Sequence, residues 1–409
     1  MDNIFEIENG ELKGYKGTDT EVVIPEGVSE IGAGIFENRG FVKSVTLPKG
    51  VCDIGERAFF GCAGLEEVNI EAEDVVISKS AFGACKGIKR VTVKGNAIIE
   101  ELAFEGCEGL EKITVDGDDV KVCRDAFSGC VSLGAFISDG SVSIERGALA
   151  SLPSLKSVII HGVMANVWGG AFDGSTALTE FIADGDVSIE GAAFNGCTAF
   201  KKFISDGSTE ILADAFAALP ALTEVKICGE TSTIEENAFA ECTALESFIC
   251  AGDITIGEGA FRGCTSLKSV SADGNIKIES EAFKDCTGLE KVELGKYSVV
   301  IAEGAFEGCT AVSELIIPPD TTASKLELEG MTALKRVVIR KHVLHVKRIP
   351  AFSRIEEIEI PAGVHTVAAG AFEGFSGTII TNAKKPLLGN PKGWAKGWCG
   401  KSARIIWKK

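Results

Sequence analysis

Nine cysteines of this 409-residue chain occupy one column, each three residues after a phenylalanine: Cys62, Cys85, Cys107, Cys130, Cys197, Cys242, Cys264, Cys286 and Cys309. Thiols in register invite three kinds of chemistry: oxidation to disulfides, metal ligation and plain packing. If equivalent cysteines stack, their Cα atoms stand about 5 Å apart, within disulfide range. Zinc instead needs ligands that converge on one point, whereas a column spreads them along a line, and no C-x-x-C occurs. Elsewhere the same slot holds Leu152, Ser175, Leu219 or Met331. That tolerance reads as a small apolar pocket filled by free cysteine, with disulfides and metal as the alternatives. A second series is Asp-Gly, at Asp116, Asp139, Asp184, Asp206 and Asp273. Stacked carboxylates are Ca²⁺ chemistry, but Asp-Gly is also an ordinary turn pair, and the turn is the expected reading. Four histidines, His161, His342, His345 and His365, have no Cys or Ser neighbour at a nucleophile spacing. No Walker loop or GxGxxG occurs. These residues predict no enzyme, no metal and no cofactor.

The elements that position these columns repeat every 22 or 23 residues, a period that means a solenoid. One unit reads Ile54…Ala58-Phe59…Cys62…Leu65…Val68-Asn69-Ile70, and the next Ile77…Ala81-Phe82…Cys85…Ile88…Val91-Thr92-Val93. The phenylalanine slot runs Phe36, Phe59, Phe82, Phe104, Phe127, Leu149, Phe172, Phe194, Phe216, Phe239, Phe261, Phe283, Phe306, Leu328, Phe352 and Phe372, or about sixteen coils. Alternation at 68 and 70 is the period of a strand. Ala-Phe-x-x-Cys is too short for a helix and predicts a tight or 3₁₀-like turn. Asn9-Gly10 between two short apolar runs predicts a hairpin that caps the first coil over residues 1–20. Stacked coils align their strands at about 4.8 Å. No coil buries its faces alone, so stability comes from neighbours.

The run L-x-x-V-x-I/L, often followed by Pro-x-x-V-x-x-I-G-x-x-A-F-x-x-C, resembles the BspA-like class of leucine-rich repeats, bacterial repeats of the Treponema pallidum type. Val45-Thr-Leu47-Pro48…Val51…Ile54-Gly55…Ala58-Phe59…Cys62 carries the pattern slot for slot, and Tyr15 to Val28 is similar to first repeats of that family. The resemblance implies an α/β-type repeat solenoid, mostly β: a single right-handed horseshoe or superhelix with a parallel concave sheet over residues 1–383. It also implies recognition of proteins, with adhesion and host-protein binding among the known roles. The pattern falters at Lys325-Leu-Glu-Leu328 and after Phe352, so residues 321–383 are expected to form irregular coils. Trp394, Trp398 and Trp407 suggest a Trp-rich cap over 384–409, with a Trp-lined ligand site as the sharper alternative.

Charge follows the same division. Residues 321–409 hold 16 Lys+Arg against 6 Asp+Glu, while the whole chain is at −18. The acidic body excludes nucleic acid, whose phosphates need a basic track. The basic end reads as solvated charge on a terminal cap, with an anionic partner or membrane surface as the alternative. The first residues lack a basic, apolar leader and no stretch is long enough to span a bilayer. With free thiols these features predict the cytoplasm, the cell surface being the alternative that the resemblance carries.

The most informative departure lies on the strand. The residue between its two core positions is Asn69, Thr92 and Thr114 in early coils, then Ile137, Ile159, Ile182 and Ile204 in four consecutive ones. Lys226 interrupts, and Ile249 follows. Facing outward, these isoleucines form an apolar strip of the kind that marks interaction sites. They are also what a strand prefers, and a register shift would bury them. The expectation is a non-catalytic, monomeric module that binds a protein partner on this strip, with an intracellular scaffold as the alternative. Carbohydrate binding is disfavoured, because the chain has two Tyr and only Trp168 as a Trp outside the tail.

Overall fold

A computed structural model describes residues 4–295, 298–317, 331–339, 345–346, 355–384, 386, 391–399 and 401–408. Two compact units are present, Met1–Gly207 and Ser208–Lys409. Each is a parallel β-solenoid, and no helix occurs among the described residues.

In the first unit the chain opens with an antiparallel hairpin, Phe5–Glu8 with Glu11–Tyr15, turning at Asn9 and Gly10 with φ of 50° and 86°. Both turn residues take left-handed backbone, as a two-residue hairpin with the strands' own twist requires. Glu11–Tyr15 then pairs in parallel with Glu30–Ile31, the start of a sheet that continues through Asp53–Ile54 and Asp74–Ile77 to Asp186–Ile189. A second sheet runs from Glu21–Val23 through Ser44–Leu47 and Glu67–Ile70 to Lys202–Ser205. Register follows the repeat: Val68 lies beside Val91, and Val91 beside Ile113. In Glu67–Ile70 the core takes Val68 and Ile70, while Glu67 and Asn69 face outward.

Ala-Phe-x-x-Cys forms a third line of pairing. Ala58, Phe60 and Cys62 donate their N–H groups within the coil, to Gly55, Arg57 and Phe59, at 3.0–3.2 Å. The alternate residues Arg57, Phe59 and Gly61 donate to Lys79, Ala81 and Gly83 of the next coil at 2.7–3.2 Å. Every N–H of the segment is thus satisfied without a helix. Left-handed backbone at Arg57 and Gly61 closes the turn at both ends, and Ser80 and Ala84 do so one coil later.

Inside, Phe36, Phe59, Phe82, Phe104 and Phe127 stack with ring centroids 4.7–5.3 Å apart and planes within 5° of parallel. Leu149 breaks the ladder. Strand phenylalanines fill in around the break, Phe136 packing edge-on against Phe127 and Phe181 against Phe172. Small inward residues accompany the large rings on their strands, Ser138 with Phe136, Ala183 with Phe181 and Ser205 with Phe203, and the hydroxyls of Ser138 and Ser205 donate to the carbonyls of Gly140 and Gly207 at 3.3 and 3.2 Å.

The cysteine slot is not simply apolar. Cys62 Sγ–H donates to the carbonyl of Phe36 at 2.9 Å, and Cys85, Cys107 and Cys130 repeat the bond to Phe59, Phe82 and Phe104 at 2.9–3.1 Å. Ser175, in the same slot, donates its hydroxyl to the Leu149 carbonyl at 2.7 Å. Where a cysteine or Ser175 fills the slot, a small buried donor ties the turn to the Phe or Leu149 carbonyl of the preceding coil, whereas Leu152, Leu219, Met331 and Phe375 cannot make this bond.

All fourteen thiols are free: ten are buried, Cys123, Cys228 and Cys399 are half-buried, and Cys52 is exposed. Burial pushes the thiols of Cys197 and Cys242 up to about 12. Native protein at pH 8 should therefore alkylate first at Cys52, then at the three half-buried sites, and at the remaining ten only on unfolding. These folded-state pKa values lie above the ordinary thiol value near 8.5. Their stabilising contribution is thus present below about pH 8.5 and lost as pH rises toward 12. Counting alkylated thiols by mass spectrometry checks the first statement, and melting between pH 8 and 11 checks the second. Rapid native labelling of the column would contradict both.

The Asp-Gly pairs owe their recurrence to the glycine. A Cβ at Gly140 would stand 1.7 Å from the carbonyl oxygen of Gly117, and one at Gly117 2.1 Å from that of Gly95. Gly162, Gly185 and Gly207 meet the preceding coil's backbone equally closely, at 2.0–2.3 Å. Successive turns touch backbone to backbone here, so no side chain fits. Asp116, Asp139, Asp184 and Asp206 remain at the surface.

In the second unit, Glu224–Ile227, Ser247–Cys250 and Ser269–Ala272 carry the same parallel register to Lys291–Leu294, Glu314–Ile317 and Arg336–Ile339. The sheet ends on Glu357–Ile360, Thr378–Thr381 and Arg404–Trp407. Trp394 and Trp398 are buried, edge-to-face at 4.7 Å, with Trp398 against Phe372 and Trp394 Nε1–H donating to Val364 O at 3.2 Å. Neither indole opens to a ligand. Arg336 binds three carboxylates, Glu357 at 2.8 Å and also Glu314 and Glu359, so this basic residue braces the sheet. Leu328, His342 and Phe352, with much of the expected irregular stretch 321–383, lie outside the described residues.

Candidate recognition face

The outward row of the longer-stranded sheet is set by the alternation of its strands. In Ala135–Ser138 the core takes Phe136 and Ser138, so Ile137 faces out. Ser157–Ile160, Glu180–Ala183 and Lys202–Ser205 do the same with Ile159, Ile182 and Ile204. Register places Ile137 beside Ile159, Ile159 beside Ile182, and Ile182 beside Ile204. At about 4.8 Å per strand, the four side chains make a continuous ridge roughly 14 Å long. Each is half-buried, shielded by its neighbours in the row. Thr114 precedes the ridge in register. In the second unit Ile249 is exposed and stands between Lys226 and Ser271.

One edge of the ridge is acidic. Two residues after each isoleucine come Asp139, His161, Asp184 and Asp206, all exposed, and Asp116 holds the same place one coil earlier. His161 Nδ1 lies 2.8 Å from Asp184 Oδ2. The other edge is mixed: Ala135, Ser157, Glu180 and Lys202. No group of three potential metal ligands gathers among the described residues. The ridge presents half-buried apolar side chains bordered by negative charge.

One surface feature escaped the pattern-based reading. Trp168 follows Met164–Val167 at the place where other coils carry Gly55, Ser78, Glu100 or Glu190, and its indole is 46% exposed. It borders a groove of about 510 Å³ shared with Arg146, Asp173, Glu190 and Asn195. A tryptophan at a position where the other coils named carry glycine, serine or glutamate is the sequence signal that marks it.

Stacked parallel coils, a ladder-filled core and an outward apolar row define a repeat solenoid built to present an extended face. The profile of the BspA type Leucine rich repeat region matches residues 15–134, 121–246 and 233–352. The chain belongs to that family. No curated protein matches the chain. Among solved structures, a leucine-rich repeat protein from Bacteroides ovatus is 22% identical over 82% of this chain and 92% of its own, with a TM-score of 0.38. A leucine-rich cell surface protein from Faecalibacterium prausnitzii is 20% identical over 95% of both chains, with a TM-score of 0.34. The T. pallidum leucine-rich repeat protein is 18% identical over 65% of this chain and 89% of its own, with a TM-score of 0.21. No helix among the described residues is long and apolar enough to cross a membrane.

Proposed function

We propose that the chain is a non-catalytic recognition module whose isoleucine ridge, Ile137, Ile159, Ile182 and Ile204, binds a protein partner. One observation carries the reading: four large apolar side chains stand in unbroken register on the outward side of strands whose core positions are already filled. A complementary surface would remove their remaining exposed area from water, at about 25 cal/mol per Å². The acidic edge selects a partner with an apolar ridge flanked by Lys or Arg. Ile249, alone between Lys226 and Ser271 in the second unit, is a separate candidate contact. The family resemblance favours host-protein binding at a cell surface. Fourteen free thiols favour the second reading, an intracellular scaffold in a reducing compartment.

A photo-crosslinking residue at position 182 tests the proposal in the producing organism. It should yield one discrete protein adduct that disappears when Ile159→Arg is added, and the same crosslinker at position 188, outward on the other sheet, should not form it. An adduct that survives Ile159→Arg, or no adduct from position 182, contradicts the assignment. Fractionating that adduct between the cytosol and the cell surface separates the two readings.

A further inference from the structure

The groove beside Trp168 lies within the first unit and is independent of the isoleucine ridge. Its floor is backbone: Gly169 and Gly170 follow Trp168, and Gly170 takes left-handed φ at 72°. Arg146 runs along this floor, its Nε 4.0 Å from where a Cβ on Gly170 would stand. The polar groups around the indole are held in place before any ligand arrives. Glu190 Oε2 accepts the Gly169 N–H at 2.9 Å, and Asn195 Nδ2 donates to Asp173 Oδ1 at 3.0 Å. The half-exposed Trp168 thus shares one groove of about 510 Å³ with a guanidinium, two carboxylates and a carboxamide.

The combination narrows the ligand. Arg146 supplies donors only, the carboxylates supply acceptors only, and Asn195 supplies both. A ligand with a flat apolar face and a rim of groups that both donate and accept satisfies all of them. Two carboxylates against one guanidinium disfavour phosphates and acidic ligands. The guanidinium and the single indole disfavour a quaternary ammonium, which is held by a cage of several aromatics. We infer that the Trp168 groove binds a neutral pyranose ring of a glycan, the C–H face stacked on the indole and the hydroxyls bonded to Asp173, Glu190, Asn195 and Arg146. The volume suits one or two sugar rings, within the range of small-ligand sites.

Intrinsic fluorescence reports the site, because Trp168 is exposed while Trp394 and Trp398 are buried and Trp407 is half-buried. The full chain is titrated with neutral hexaoses (cello-, malto-, manno- and chitohexaose), and any hit is repeated as the same glycan attached to a peptide. At least one hexaose should shift the emission saturably. Isothermal titration calorimetry, which does not need the indole as reporter, compares the variants: Trp168→Ala should weaken binding at least tenfold, and Asp173→Asn and Glu190→Gln about three- to tenfold each, with melting temperature unchanged. Equal affinity for free and peptide-linked glycan identifies a polysaccharide ligand; tighter binding of the linked form identifies a glycoprotein. No saturable response from any hexaose, or full binding by Trp168→Ala, overturns the inference.

Discussion

Gly140→Ala should destabilise the first unit by about 3 kcal/mol or more, the upper end of overpacking costs. The new methyl would stand 1.7 Å from the carbonyl oxygen of Gly117 and 2.6 Å from the carbonyl carbon of Asp118. Neither atom is the end of a flexible side chain. Relief requires the two turns to separate, and they are held by the N–H of Ser141 on the Asp118 carbonyl at 2.9 Å and of Asp139 on the Val115 carbonyl at 3.0 Å. The turn joins Ala135–Ser138 to Ser141–Ile144, so opening it strains both sheets. At roughly 2–4 °C per kcal/mol for a unit of this size, the melting temperature should fall by about 6–12 °C. Gly40→Ala is the control, because a Cβ there meets nothing within 4 Å. Equal melting of the two variants would contradict the backbone-contact account of the Asp-Gly turns.

Phe104→Ala should cost about 3–5 kcal/mol. The ring is fully buried and stacked between Phe82 and Phe127, 5.3 Å from each and 4° from parallel. Removing it leaves a gap with rings above and below, which cannot both move in while their own coils stay hydrogen-bonded. The alanine variant also keeps the Phe104 carbonyl that Cys130 Sγ–H uses, so the loss measures packing. A urea titration should show a lower midpoint. Phe41→Ala, at a residue 38% exposed, should lower the unfolding free energy by less than about 1 kcal/mol. A Phe104→Ala midpoint like that of Phe41→Ala would mean that the ladder contributes little and that backbone pairing alone holds the coils.

How much of this was legible in the sequence depended on what each feature repeats. The 22- or 23-residue spacing of Phe and of the strand alternation is a direct image of coil stacking, so the period, the parallel register and the Asn9-Gly10 hairpin could be read from residues. Alternation also placed Ile137 to Ile204 on the outward side. Three features were hidden for physical reasons. Asp-Gly looks the same whether the turn needs the aspartate or the glycine, and only the approach of Gly140 to Gly117 distinguishes them. The cysteine slot looked apolar because Leu and Met enter it; Ser175 was the one residue that betrayed the donor bond made there. Left-handed backbone at Arg57, Ser80 and Leu102 carries no glycine to announce it, so the alternating pairing of the Ala-Phe turn could not be inferred. Trp168 appeared in sequence only as an aromatic counted against sugar binding; its setting among Arg146, Asp173 and Glu190 gives it a different meaning.

In the proposed reading, repetition builds the support and the isoleucine ridge supplies recognition. The affinity of Ile182→Arg for the partner captured at position 182, read beside thermal melting, tests the ridge, with Thr92→Arg in the same outward row as control. Ile182 is half-buried between Ile159 and Ile204, with its core neighbours Phe181 and Ala183 unaffected by the change. Recognition by the ridge requires at least a 30-fold loss of affinity in Ile182→Arg, about 2 kcal/mol as for an interface hot spot, with the melting temperature of the wild-type chain, and no loss for Thr92→Arg. Undiminished affinity in Ile182→Arg, or a collapse of its melting temperature, would contradict it.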